Sequence, residues 1–289
     1  MSTTAIAPWY PRPSSMGYYF SCDYRAALDR AVHEGLADEA AANLFTGKAG
    51  SSSPNADLGT CIHFTMQDGM GCVFGVPDPE PDDSQWANAS QLFGFDLAKT
   101  KQAAFASATL AASHMPKTFD GLPWRAEVRA KNRFTQGTID FLSQDGLQLW
   151  DLKTTAKPIL GGHIKAPHLY QLITYRWLLK SRGQKMPTHG GVMYVDSLNA
   201  KWALPISLDF TTAAFAELTE HVEGYTKFLR SNRLYSTAVP RMGTHCSDDW
   251  CPYTSICKQK FLQAPSSGFS ASKPLPSSTA PTLDALSKV

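Results

Sequence analysis

Three things are scarce in this sequence: long apolar runs, net charge and paired cysteines. No stretch approaches the roughly 18 consecutive apolar residues that a membrane span requires. The opening segment MSTTAIAPWYPRPSS also lacks the basic-then-apolar order of a secretion signal. A cytoplasmic protein without membrane association is therefore expected. Lys and Arg number 27 against 25 Asp and Glu, a net charge of +2, so charge alone names no partner. Six cysteines in a chain without an export signal do not suggest a disulfide framework, because cytosolic thiols are kept reduced. Clustered cysteines then point to a metal or cluster site. There is no internal repeat.

What is present fits one elaborated α/β domain: 289 residues, 43% of them hydrophobic, can bury a sizeable core. Residues 1–15 and 264–289 are rich in Pro and Ser, and both are expected to be flexible. Between them, residues 16–263 are read as a single domain with a helical insertion at about 84–115. Asp23 to about Ala41 and Gln85 to about Ala112 are Ala-rich with helical spacing, and together they suggest an accessory helical layer. From Trp124 the period changes. WRAEVRA, TQGTIDFL and LQLWDLKT are short β-favouring runs, and Asp145-Gly146 is a hairpin signal, so an antiparallel meander is predicted. A helix follows over about His168–Lys180, then strands GGVMYVDS and KWALPIS, then a helix over about Thr212–Leu229.

Asp151 and Lys153 lie two apart in an apolar strand pattern, so both side chains face one way while Leu152 faces the other. A carboxylate that binds a hard divalent cation beside a lysine that orients water suits phosphodiester hydrolysis. An isolated D-x-K is more often a surface ion pair. Asp140, in GTIDF on the preceding strand, can converge with Asp151 on one ion through the hairpin; alone it reads as a turn-flanking aspartate. Glu127, inside WRAEVRA, is a further acidic candidate.

In this order, G-T-I-D-F, D-L-K-T-T and Q-L-I-T-Y at 171–175 resemble the RecB-type branch of the PD-(D/E)XK nucleases. L-G-T-C-I-H at 58–63 resembles that branch's early G-x-x-x-H motif. The resemblance implies a restriction-endonuclease-like core, a mixed sheet flanked by helices. It further implies magnesium or manganese held by His63, Asp140, Asp151 and the Leu152 carbonyl, with Lys153 positioning the attacking water. Gln171 and Tyr175, four apart on one helix face, would contact the DNA backbone or support Lys153. Without these neighbours, His63 would read as a structural histidine and Tyr175 as packing. Two departures stand out: Ile139 replaces the proline before the first acidic residue, and Asp151 stands where many members have Glu.

Cys246, Cys251 and Cys257 fall within twelve residues, close enough to wrap one metal centre. Cys22 resembles the lone N-terminal cysteine that CRISPR-associated RecB-like nucleases and the AddB helicase-nuclease subunit contribute to a [4Fe-4S] cluster. Zinc held by the four thiols, or by the trio with His245, is the alternative, and so are unrelated buried cysteines. Cys61 and Cys72 lack ligand spacing and read as small buried hydrophobes. The function expected is a DNA exonuclease acting on ends or single strands in recombination, repair or phage DNA metabolism, working beside a recombinase or single-strand-binding partner. A non-catalytic DNA-end-binding protein and a zinc-stabilised endonuclease are the alternatives.

Overall fold

The computed structural model describes residues 8–36, 52–77, 79–231 and 234. Its centre is a six-stranded mixed sheet in sequential order: β1 (Val73–Phe74), β2 (Arg125–Lys131), β3 (Gln136–Leu142), β4 (Gln148–Thr155), β5 (His189–Asp196) and β6 (Ala203–Asp209). Strands β2, β3 and β4 form the antiparallel meander expected from the Asp145-Gly146 signal, with Gly146 at φ 76° in the turn. β4 and β5 are parallel, so the chain between them crosses over through a helix. Buried on both faces, β5 reads as the continuous apolar run GGVMYVD.

Among the described residues the α-helices are α1 (Met16–Ser21), α2 (Asp23–His33), α3 (Pro54–Gly69), α4 (Asp83–Ser90), α5 (Leu97–His114), α6 (Ala166–Ser181) and α7 (Ala213–Leu229). The sheet separates two cores. On one face α1, α2, α6 and α7 pack Met16, Ala26, Ala27, Leu172 and Val222 against Val128, Ile139, Leu149 and Tyr194. On the other, α3, α4 and α5 pack Leu58, Ile62, Ala89, Ala104 and Ala108 against Phe141, Trp150, Leu152 and Val195. The two Ala-rich segments therefore do not form one accessory layer; they cover opposite faces.

Several boundaries differ from the sequence reading for local reasons. The segment 85–112 is two helices, because Gly94 and Phe95 take left-handed φ values of 66° and 64° and Asp96 then caps a new helix by accepting from the Lys99 amide. The first of the two starts two residues early, at Asp83 behind the Asp82/Gln85 capping box. Helix α2 ends at His33, short of Ala41. The described part of the Pro/Ser-rich start is tied down: Trp9 is buried in the core, the Pro11 carbonyl accepts from the Thr135 hydroxyl, and Arg230 donates to the Trp9 carbonyl. Arg30 donates to the Leu229 and Ser231 carbonyls, and Tyr225 donates to Asp23, so α2 clasps α7.

One buried side chain staples α6 to its surroundings. The Arg176 guanidinium donates to the carbonyls of Pro187, Phe210 and Phe215 and to the Thr219 hydroxyl. Replacing it with Met keeps most of the apolar stem but leaves buried acceptors without donors. Arg176→Met is expected to cost about 3 kcal/mol or more in urea unfolding. Arg133→Met, at an exposed position, should change stability little. Equal effects of the two would show that the guanidinium network does not hold these elements together.

Candidate active site

The site begins with a register. Leu142 pairs Leu149 and Phe141 pairs Trp150; continued one step, Asp140 stands opposite Asp151. On the other side Ala126 pairs Phe141 and Val128 pairs Ile139, so Glu127 stands opposite Asp140. Three carboxylates thus form one row across β2, β3 and β4. The ladder breaks along that row. Glu127 has a left-handed φ of 51°, and the described β3–β4 pairing stops at Phe141. Past that point the Leu152 amide donates to Asp140 Oδ2 at 2.8 Å, a side chain standing in for the lost ladder acceptor.

Helix α3 closes the row from above. Gly59, His63 and Gln67 are spaced four apart and share one face. A Cβ on Gly59 would lie 2.8 Å from Thr154 Oγ1, so the missing side chain is what lets α3 approach β4 closely. His63 then brings Nδ1 to 3.6 Å from Asp140 Oδ2. One turn on, buried Gln67 donates to Glu127 Oε1 at 3.1 Å and to the Asp140 carbonyl at 3.2 Å. Gln67 was missed in the sequence. Its only signal was the four-residue step from His63, which carries meaning once a helix is assigned over that segment.

From the opposite face come Lys153 and α6. Lys153 Nζ lies 2.6 Å from Asp151 Oδ2, an oxygen that has no other hydrogen-bond donor among the described residues. Gln171 donates to Asp151 Oδ1 at 2.7 Å, so it supports the carboxylate rather than the lysine. The Tyr175 hydroxyl donates to the Thr138 carbonyl and lies 3.3 Å from the Gln171 amide. These two residues therefore tie α6 to both β4 and β3.

Electrostatics follow from burial. Desolvation pushes Asp140 up to about 6, with Glu127 adding and Lys153 opposing. Burial likewise pushes Asp151 up to about 6, with Lys153 opposing and Asp140 adding. Glu127 is raised, chiefly by burial. Burial alone would lower Lys153, but Asp151 and then Asp140 outweigh it and hold the ammonium above its ordinary range. His63 is lowered to about 4 by burial and by Lys153, so its imidazole is neutral and able to ligate.

The ligand atoms of His63, Glu127 and Asp140 all lie within 4.8 Å of one another, and the under-coordinated Asp151 oxygen belongs to the next position in the row. One imidazole and several carboxylates fit a hard divalent cation such as manganese or magnesium. Glu127, marginal in the sequence, belongs to this group of three. Cys22 is buried at the start of α2, while Cys246, Cys251 and Cys257 lie outside the described residues. Cys61 is buried in the α3 core and Cys72 is half-buried; burial pushes both thiols up to about 12, in keeping with inert side chains.

Because Asp140 and Asp151 hold protons up to about pH 6 while His63 is already neutral, metal uptake should displace protons only at the acid end. Manganese binding is expected to release protons at about pH 5 and almost none at about pH 7.5, with affinity rising between them. Calorimetry in two buffers of different ionisation enthalpy counts the protons. Equal release at both pH values would mean that these carboxylates are not the ligands.

A family model described as the PD-(D/E)XK nuclease superfamily matches residues 13–258. No curated protein and no solved structure matches the chain. The matched stretch holds the whole meander, α3 above it and α6 behind it, and covers most of the sequence. The chain therefore belongs to the PD-(D/E)XK nuclease superfamily, a membership that implies metal-dependent cleavage of nucleic acid.

Proposed function

We propose that this protein is a RecB-type DNA exonuclease that uses magnesium or manganese and works on DNA ends or single strands. The observation that carries the reading is the row Glu127–Asp140–Asp151, with neutral His63 on one side and the Lys153 ammonium on the other. His63, Asp140, Asp151 and the Leu152 carbonyl would hold the divalent ion, with Glu127 as a further ligand. When bound, the ion supplies Lewis acidity and lowers the pKa of its water.

The chain's own residues divide the remaining work. Asp140 stays aligned through the Leu152 amide, and Asp151 through Gln171. Lys153, kept charged by two aspartates, can orient the attacking water and donate to a phosphate oxygen as negative charge develops there. Tyr175 holds β3 against α6 through the Thr138 carbonyl, which keeps Gln171 beside Asp151. A non-catalytic DNA-end binder would need none of this arrangement.

Asp151→Asn and Lys153→Ala are each expected to abolish cleavage, by about 10³-fold or more, while DNA binding largely persists, because these groups act on the reaction more than on phosphate contacts. EDTA should stop turnover, and calcium should support binding without it. Degradation of linear DNA with closed circles left intact would support the exonuclease reading. Undiminished cleavage by both variants would remove the assignment. Recombination, repair or phage DNA metabolism, beside a recombinase or single-strand-binding partner, is the setting such an activity fits.

The second element of the proposal is a [4Fe-4S] centre made by Cys22 with Cys246, Cys251 and Cys257. It is supported by the spacing of the trio and by Cys22 at the head of α2, which forms no disulfide among the described residues. Anaerobic protein is then expected to be brown, with about four irons per chain. Cys22→Ser should lose iron as fully as Cys251→Ser. A colourless protein with one zinc per chain would exclude the cluster and leave the nuclease reading standing.

A further inference from the structure

Beside the carboxylate row, the surface opens into a cavity of about 760 Å³ between the β2–β3 hairpin, the turn at Pro13–Ser15 and α6. Arg12, Arg129, Lys131 and Arg182 rim it, and Gln171 and Tyr175 lie among its lining residues. None of the lining residues is acidic. Among the described residues, none of the four cations has a carboxylate within ion-pair distance. All four side chains are exposed.

This is an unusual concentration of charge. The whole chain carries only +2, yet four cations converge here without a counter-ion. Such convergence costs self-repulsion in the free protein and is relieved by an anionic occupant. Gly137 sets the inner wall of the cleft by close packing: a Cβ there would lie 2.8 Å from the Pro13 ring and 3.0 Å from the Tyr175 ring, so the missing side chain lets the N-terminal turn and α6 sit directly on β3. The cleft also has a direct physical link to the chemistry, because Gln171 both lines it and donates to Asp151.

We infer that this cleft binds the sugar-phosphate backbone of one DNA strand and leads it to the scissile position beside Asp151. The inference rests on the nuclease reading given above and adds to it the strand class and the side of approach. A cavity of about 760 Å³ lies within the roughly 300–1,000 Å³ of small-ligand sites and has room for a short run of one strand. Backbone binding in a basic groove is the sequence-tolerant mode for single strands. The approach comes from the N-terminal turn and the hairpin, not from the helical insertion α4–α5 on the far face of the sheet.

The test measures binding of a single-stranded oligonucleotide and of a duplex closed by hairpins at both ends, over a range of salt concentrations. The parent is Asp151→Asn, so that no turnover occurs. Arg12→Ala/Arg129→Ala is expected to weaken single-strand binding about fivefold or more and to reduce the salt slope by about 1.4, that is, about 0.7 per lost phosphate contact. Lys131→Gln, which removes the ammonium that lies over the Tyr10 ring, should reduce it by about 0.7. Binding of the closed duplex should hardly change. Thermal unfolding midpoints matching the parent show that the variants fold. An unchanged single-strand slope in folded variants, or an equal loss on the closed duplex, overturns the assignment. Cleavage by the unmodified chain is assayed separately. If it cleaves while the cleft variants bind like the parent, only the cleft assignment falls. If it does not cleave, the nuclease reading falls and takes the inference with it.

Discussion

The site depends on one hydrogen bond, from the Leu152 amide to Asp140 Oδ2. In a regular antiparallel ladder that amide would donate to a backbone carbonyl on β3, and no carboxylate would be needed. Here the described pairing between β3 and β4 ends at Phe141, and a side chain takes over as acceptor. Two consequences follow at once. Asp140 is held at β4 with one oxygen committed, and the strands part without leaving a buried amide unsatisfied. Without that substitution, the break in the ladder that makes room for an ion would leave an orphaned donor in the interior.

The break concentrates charge that the fold alone does not neutralise. Two aspartates at or near full burial and a half-buried glutamate face one ammonium and one neutral imidazole. Desolvating carboxylates is costly, and the upward shift of Asp140 and Asp151 to about 6 expresses that cost. A divalent cation bound there would relieve it, which would link binding to local stability. Lys153 relieves part of it permanently, which is why its own pKa rises despite burial. The sheet face therefore divides into an anionic row and a cationic neighbour two residues along β4.

Much of this was legible in the sequence because the meander is local. The Asp145-Gly146 turn fixes which β3 residue faces which β4 residue, so Asp140, Asp151 and Lys153 could be brought together from spacing alone. Glu127 was undervalued because its place in the row needs the β2–β3 register, and no comparably strong turn signal announces that hairpin. Gln67 escaped because His63 was read without a helix beneath it. The break in 85–112 escaped because Phe95 adopts a left-handed φ that an aromatic residue seldom takes; only Gly94 and Asp96 hinted at it. Composition misled at residues 8–15, where a few aromatic and proline contacts with distant elements outweigh local polarity.

The clasp between α2 and α7 has a consequence for biosynthesis. Trp9, Asp23 and Arg30 are each held by partners about 200 residues later in the chain: Arg230, Tyr225, and the Leu229 and Ser231 carbonyls. At roughly 5–20 residues per second of synthesis, the N-terminal segment waits roughly 10–45 s for those partners to emerge. Contacts so distant in sequence also slow the closing step itself. The nascent chain therefore completes its core only after the strands that carry the carboxylate row have been made, and a fragment released early would lack the fastening that joins its two ends.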